Sequence, residues 1–366
     1  MMRGSAVALL VAAILRRDAR SLIFGLAACA IAATVASFQF AVFTSFLAAG
    51  AAVPRYIGAD AWIMARGVDC FDFPAPMAEG YAGAVLAELP GARVRPVLVG
   101  FAGWDGPGGS AGNVVVVGLE GTGLAERQVM IDASDRARLR MAAAGDVGAM
   151  GGITVQASSE TRALATFLGA PYMIAPAATA RRALGWPEGR VAFLAIDFPG
   201  GAPADLDDRL ARLEAHYPEI TARSGADFTA SSSRYWQGKT GAGAAILLAA
   251  LLAALLMLML LVNAVGRFVQ RRQADILSLI GHGADGRDVL ALILAIAAVL
   301  VLGSLAVVAI ATPIVTAIAD PWLPWVAFKS VDLAFAAGLC LLAFVAATLA
   351  ARADLKRFPP DAIFRS

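Results

Sequence analysis

The chain has 366 residues, of which 59% are hydrophobic and only 16% charged, with a formal net charge of +2. A soluble domain of this size carries about 25% charged and about 45–50% apolar residues, so an ordinary soluble globule is excluded. The near-neutral balance gives no basis for a nucleic-acid partner.

The apolar excess is gathered into long blocks, which is the pattern of membrane spans. Residues 1–20, with Arg3, Arg16, Arg17 and Arg20, are expected to form a cytoplasmic N-terminal helix. Residues 21–50 follow as the first span and a stalk. The apolar block from Ser21 to Phe46 would reach roughly 39 Å as a helix, against a hydrocarbon core of about 30 Å, so it tilts or projects. It is also longer than the apolar part of a signal peptide, about 7–15 residues, and reads as a retained anchor.

Residues 51–238 read as a folded α+β domain. Asn113–Gly118 and Val191–Ile196 have strand composition. Ala78–Leu89 and Ala204–His216 read as helices, the second with Asp205, Asp207 and Asp208 in its first turn, where the helix dipole favours negative charge. Gly106–Gly112 is a glycine-rich turn. Gly238-Lys239-Thr240 resembles the end of a phosphate-binding loop. That loop needs a glycine where Ser233 stands, and it should join a strand to a helix. Lys239 is instead expected to be an interfacial anchor.

The second span is placed at 239–266, interrupted near one end by Asn263. A cytoplasmic loop at 267–288 leads to a third span at 289–312. An outer loop at 313–331, a fourth span at 332–351 and a cytoplasmic tail at 352–366 complete the chain. The basic residues Arg267, Arg271, Arg272 and Arg287 fall in the loop, and Arg352, Lys356, Arg357 and Arg365 in the tail. Together with the N-terminal arginines they share one side of the membrane, which is then cytoplasmic. Tyr235, Trp236, Trp322 and Trp325 fall on the opposite side, where they are expected to anchor the protein at the outer interface. Loop aromatics without that role are the plainer reading.

Cys29, Cys70 and Cys340 offer no CxxC spacing, and with His216 and His282 as the only histidines no metal site is expected. Ser231–Ser233 lie in no GxSxG context. No catalytic constellation emerges, and a non-catalytic subunit without a cofactor of its own is expected.

The cytoplasmic loop is the most informative stretch. Ile276, Leu279 and Ile280 share a helical face, Gly281 and Gly283 allow a sharp turn, and Asp285 could cap the next helix. The expected product is a short helix and turn whose apolar face meets either a partner protein or the bilayer surface. The run Asp275-Ile276-Leu277-Ser278-Leu279-Ile280-Gly281-His282-Gly283-Ala284 resembles the loop after the second span in MacB/FtsX-type ABC transporter permeases, E-I-G-x-L-x-A-L-G-A. Ile276, Leu279, Gly283 and Ala284 match in place. Asp275 stands for Glu, Gly281 for Ala and His282 for Leu. Arg357-Phe358-Pro359-Pro360-Asp361-Ala362 resembles the closing R-x-x-P-x-x-A element of that family, and the order of one span, a large domain and three spans agrees. Gly58–Gly67 with Phe71-Asp72-Phe73 is similar to the DevC-type permeases within it.

The resemblance implies the following expectations. The fold is an α-helical membrane protein with four transmembrane helices and a large α+β extracytoplasmic domain between the first and second. The chain is a permease of an exporter in a Gram-negative inner membrane, with both termini cytoplasmic and the large domain periplasmic. Its partners are a separate ABC ATPase subunit carrying ATP and Mg, a second permease copy (itself or a relative), a HlyD-like periplasmic adaptor, and membrane lipid. Residues 275–284 couple ATPase closure to the outer domain by mechanotransmission. The scarcity of polar residues in the spans fits such a role, in which substrate need not pass between them. Lipoprotein extraction of the LolC type, or FtsX-like control of a cell-wall hydrolase, are the alternatives within the family. A membrane sensor or scaffold without an ATPase is the alternative of another class.

Overall fold

The computed structural model describes residues 19–141, 145–162, 164–281, 284 and 286–356. These divide into two compact units: one of residues 45–244 with 321–325, the other of the remaining described residues.

The second of these units is helical. It holds α1 (Ala19–Ala49, up to Thr44), and later in the chain α8 (Ala242–Arg271), α9 (Gln273–Gly281), α10 (Gly286–Ala319) and α11 (Ser330–Lys356). Four of these helices, α1, α8, α10 and α11, are long and apolar enough to cross a membrane. Their shared core joins small residues such as Cys29, Ala33, Ala36, Ala343 and Ala347 to Leu261, Ile293 and Ile296. Small side chains let helices approach closely, which is how helices associate where the solvent itself is apolar. The Phe40 and Phe335 rings stack at 4.0 Å. Leu252, Leu255, Ile310, Ile314 and Leu341 lie exposed on the outside, an apolar surface that water would not tolerate and lipid would. Thr34 and Thr348 return their hydroxyls to the carbonyls of Ala30 and Phe344, so these polar groups need no outside partner.

The other unit is α+β. Its helices α2 (Ala52–Ile57), α3 (Tyr81–Glu88), α4 (Arg136–Leu139), α5 (Ala177–Leu184), α6 (Leu206–His216) and α7 (Gly225–Gly238) surround one large sheet and a two-residue ladder of β2 (Met77–Ala78) with β9 (Arg190–Val191). Strands β1 (Ala61–Ala65), β3 (Arg93–Gly106), β10 (Phe193–Asp197) and β11 (Ile220–Ser224) lie in the order β11-β1-β10-β3, each neighbour antiparallel. With α3 joining β1 to β3 and α6 joining β10 to β11, this is the split βαβ arrangement. The apolar stripe of α6, Leu206, Leu210 and Leu213, packs with Val85 and Leu89 onto Ile63, Leu194 and Ile196. Each such buried leucine contributes about 1.5–3 kcal/mol.

Between β3 and β10 the chain inserts β4 (Gly109–Leu119), β5 (Gln128–Asp132), β6 (Val147–Met150), β7 (Ile153–Thr161) and β8 (Tyr172–Pro176). These continue the sheet as β4-β8-β5-β7-β6, and β6 returns to pair with β3 at Trp104–Met150. The sheet therefore closes into a ring of β3 and the five inserted strands. A register shift at Trp104/Asp105 accompanies the closure, as bulges bend a strand. Leu98, Trp104, Val116, Ile131, Met150 and Met173 form the core of this ring, where the Trp104 indole donates to the Leu139 carbonyl at 3.0 Å. Helix α5 packs over the same face. A Cβ on Gly118 would stand 2.5 Å from that of Ala180, so only glycine permits that approach.

Asn113–Gly118 thus lies inside β4, while Val191–Ile196 is shared between β9 and β10. Asp205 sits at the start of α6 but gives both carboxylate oxygens to Arg209 at 2.9 Å instead of capping the backbone.

Candidate functional site: the interhelical loop and the Asp72 cluster

Only Arg272 separates α8 from the short helix α9. Its guanidinium pairs with Asp275 at 2.7 Å, and the Ile276 amide donates to the Arg272 carbonyl at 2.8 Å. This bond carries α9 directly on from the preceding turn. Two residues of the expected apolar face, Ile276 and Ile280, meet the protein's own helical core. Ile276 is only 4% exposed and packs in the helical core, and Ile280 lies half-buried against it. Burying them in their own unit removes apolar surface from water without any partner. Among the side chains described, Gln273, Ala274, Asp275 and Ser278 are exposed, with Gly281 exposed at the end and Ala284 half-buried. His282, Gly283 and Asp285 lie outside the described residues, as do residues 1–18 and the Arg357–Ala362 element. Leu279 lies within α9.

The four aromatic residues expected at an interface are placed differently from one another. Trp322 is 76% exposed. Trp325 packs with Phe46 and Phe167 at ring distances of 6.4 and 6.1 Å. Tyr235 lies half-buried beside Phe73 at 5.6 Å. Trp236 is interior, 7% exposed, within a cluster of Phe46, Phe73, Phe167 and Tyr235. The reason is polar: its indole N–H donates to Asp72 Oδ2 at 2.9 Å. Lys239 reaches Asp69 at 3.2 Å, and Arg223 reaches the same carboxylate at 3.0 Å. These two cations hold the Asp69 carboxyl below its usual range.

Asp72 is the centre of this region. It is buried, accepts from the Tyr172 hydroxyl at 2.5 Å and from Trp236, and receives the Cys70 thiol at 3.7 Å. Burial pushes its carboxyl above the usual range, against the opposing pull of these three donors. Burial likewise raises the Tyr172 phenol, reinforced by Asp72, and pushes the Cys70 thiol up to about 12. Beside it the Phe71 amide donates to Ser232 at 3.3 Å, and the Ser233 hydroxyl donates to the Leu47 carbonyl at 2.8 Å. Gly50 closes the cluster, since a Cβ there would stand 2.6 Å from Trp236 Cδ1. The last turn of α1, the turn after β1, strand β8 and helix α7 therefore meet at one carboxylate. In sequence Asp72 stood out only as part of the Phe71-Asp72-Phe73 run, with no role assigned to it. Its signal was its setting between Phe71 and Phe73, where a lone acid is either exposed or bound to buried donors. Among the described residues no group of His, Cys, Asp or Glu is arranged to hold a metal ion.

No family model matches the chain, and no curated protein matches it. The solved structures similar to it include two extracytoplasmic domains of transporter proteins. One is the periplasmic region of MacB from Actinobacillus actinomycetemcomitans, with 10% identity and a TM-score of 0.35, over 47% of this chain and 92% of that one. The other is the extracellular domain of the noncanonic ABC-type transporter YknZ from Gram-positive bacteria, with 11% identity and a TM-score of 0.32, over 45% of this chain and 99% of that one.

Proposed function

We propose that the chain is the membrane subunit of an ABC-type exporter that passes ATPase motion to its α+β domain. The observation that carries this reading is α9, a short helix set between two long apolar helices and fixed to them through Ile276, with Gln273, Ala274 and Asp275 outward. A helix fixed on its apolar face and small on its polar face suits a cytoplasmic docking element that must move as one body with its spans. The basic residues around it support a reading with the loop on the cytoplasmic side, the α+β domain on the periplasmic side and both termini in the cytoplasm. ATP and Mg belong to the separate ATPase. Two permease copies and a HlyD-like adaptor complete the assembly.

The Asp72 cluster supports the transmission part of the reading. It ties α7, which precedes the second span by three residues, to the last turn of the first span. A displacement of either segment is then felt by β8 through Tyr172.

The test is purification of the tagged protein from its native membranes in mild detergent, with ATP hydrolysis as the readout. An ATP-hydrolysing subunit should co-purify and be lost from Ala274→Arg, a substitution on the exposed face that disturbs no buried contact. Absence of any ATPase in several detergents would overturn the reading in favour of a sensor or scaffold. A further co-purifying adaptor, lipoprotein or cell-wall hydrolase would distinguish export from extraction or hydrolase control.

A further inference from the structure

A cavity of about 380 Å³ opens among α1, α8 and α10 in the helical unit. Its walls are apolar, built by Leu22 and Phe24 of α1, Phe268 of α8 and Leu300 of α10. Its polar lining comes from one stripe of α8, Asn263, Arg267 and Arg271, spaced i, i+4, i+8 so that the side chains rise one above another. Arg267 has no carboxylate partner and Asn263 no side-chain hydrogen bond among the described residues. An amide in an apolar span is costly without a partner. The helix dipole and the polar headgroup layer account for arginines at the end of a span. They do not account for an apolar chamber beneath them. Gly25 lines the chamber beside Ala264 and Leu300, which a Cβ there would meet in ordinary contact at 3.6 and 3.9 Å, so a side chain much larger than alanine would compete for the space.

We infer that this cavity is a specific site for one anionic phospholipid, its phosphate held by Arg267 and the start of an acyl chain lodged among Leu22, Phe24 and Leu300. The chemistry matches part by part. Guanidinium forks complement phosphate oxygens, the Asn263 amide can meet the ester or glycerol oxygens, and the walls suit hydrocarbon. The volume lies within the range of small-molecule sites, about 300–1,000 Å³. It holds a headgroup and the first carbons of a chain, with the rest running along the exposed apolar surface. Because α8 ends at Arg271, the phosphate sits at headgroup depth, where basic pockets between helices recognise anionic lipids.

The experiment is native mass spectrometry of the delipidated full-length protein, titrated with phosphatidylglycerol or with phosphatidylcholine of the same chains. One phosphatidylglycerol is expected to bind at concentrations where phosphatidylcholine does not. Arg267→Gln should weaken it by about tenfold, the scale of one charge-assisted contact. Arg352→Gln, on α11 and outside the cavity, should leave it unchanged. Gly25→Leu, which fills the chamber and keeps every arginine, should abolish it. Equal binding of the two lipids would overturn the inference. So would an Arg352→Gln loss matching that of Arg267→Gln, since both would mean general attraction to basic residues. Competition by excess inorganic phosphate would overturn it as well, by showing an anion site without a lipid. Should Gly25→Leu fail to fold, the contrast between Arg267→Gln and Arg352→Gln decides.

Discussion

The Thr44 hydroxyl donates to the Asp332 carboxylate at 3.1 Å, joining α1 to α11 across 288 residues of sequence. The other oxygen of Asp332 accepts the Lys329 amide at 2.7 Å, and the side chain is fully buried. One acid thus caps its own helix, in the reach-back manner of a capping box, and receives a second helix. Asp332→Ala should cost about 1–2 kcal/mol, chiefly through the Lys329 amide, since the Thr44 hydroxyl can still turn to the Ala41 carbonyl at 3.2 Å. Thr44→Val should cost less, since Lys329 keeps its acceptor. A melting series of the detergent-solubilised single and double variants should show the two effects to be non-additive. Full additivity would deny the coupling.

Asp72→Ala should be more damaging. It leaves the Tyr172 hydroxyl and the Trp236 indole N–H buried without an acceptor, at about 2–5 kcal/mol together. Asp72→Asn keeps one of the two acceptor oxygens, enough for either Tyr172 or Trp236 though not for both, and cannot ionise. Since burial raises the Asp72 carboxyl, its contribution to stability is present below the unfolded value and lost as pH rises through the folded one. The asparagine variant avoids that loss, so at neutral pH its unfolding midpoint should lie much nearer the wild type than that of the alanine variant. Equal damage from both would show that the acceptor oxygen is not what matters.

Asp135 makes a pH prediction with a definite window. Burial raises its carboxyl to about 6, above the ordinary 3.8, with Arg138 at 2.9 Å only partly opposing. Between those values the folded state holds a proton that the unfolded chain has released. Its contribution is full below 3.8 and fades as pH climbs through 6. The melting temperature of Asp135→Asn, relative to wild type, should therefore rise between pH 4 and pH 6 and level off above. A fall in that signed difference over this range would contradict the assignment.

The Gly50–Trp236 contact can be tested without touching Asp72. Gly50→Ala places a methyl 2.6 Å from Trp236 Cδ1 and should cost about 1–3 kcal/mol by overpacking. Tryptophan emission should shift as the indole is displaced from its acceptor. An unchanged melting curve and spectrum would show that the last turn of α1 yields freely.

The long apolar blocks and the split between membrane helices and an α+β domain were legible because runs of leucine and alanine have few alternatives. The loop between α8 and α10 was legible as a helix but not in its orientation. Ile276 and Ile280 share a face by spacing alone, yet spacing does not say whether that face meets a partner or the protein's own core. Trp236 was read as interfacial because it precedes a span. Its acceptor lies far away at Asp72, and no local pattern announces a hydrogen bond of that range. The ring closure between β6 and β3 was hidden for the same reason, since it rests on a pairing between Trp104 and Met150 with unrelated neighbours in sequence.

Strand β3 belongs both to the split βαβ sheet and to the closed ring, and its 14 residues run through both. At about 3.3 Å per residue, its stretch from Arg93 to the register shift at Trp104 spans roughly 40 Å. The inserted ring is therefore not tethered by a flexible linker; it grows from a member of the sheet it interrupts. Such a join has no hinge at which to dissipate a twist. A rotation applied at β1 and β10 would reappear at the far end of β3 as a lateral swing, magnified like the tip of a lever arm.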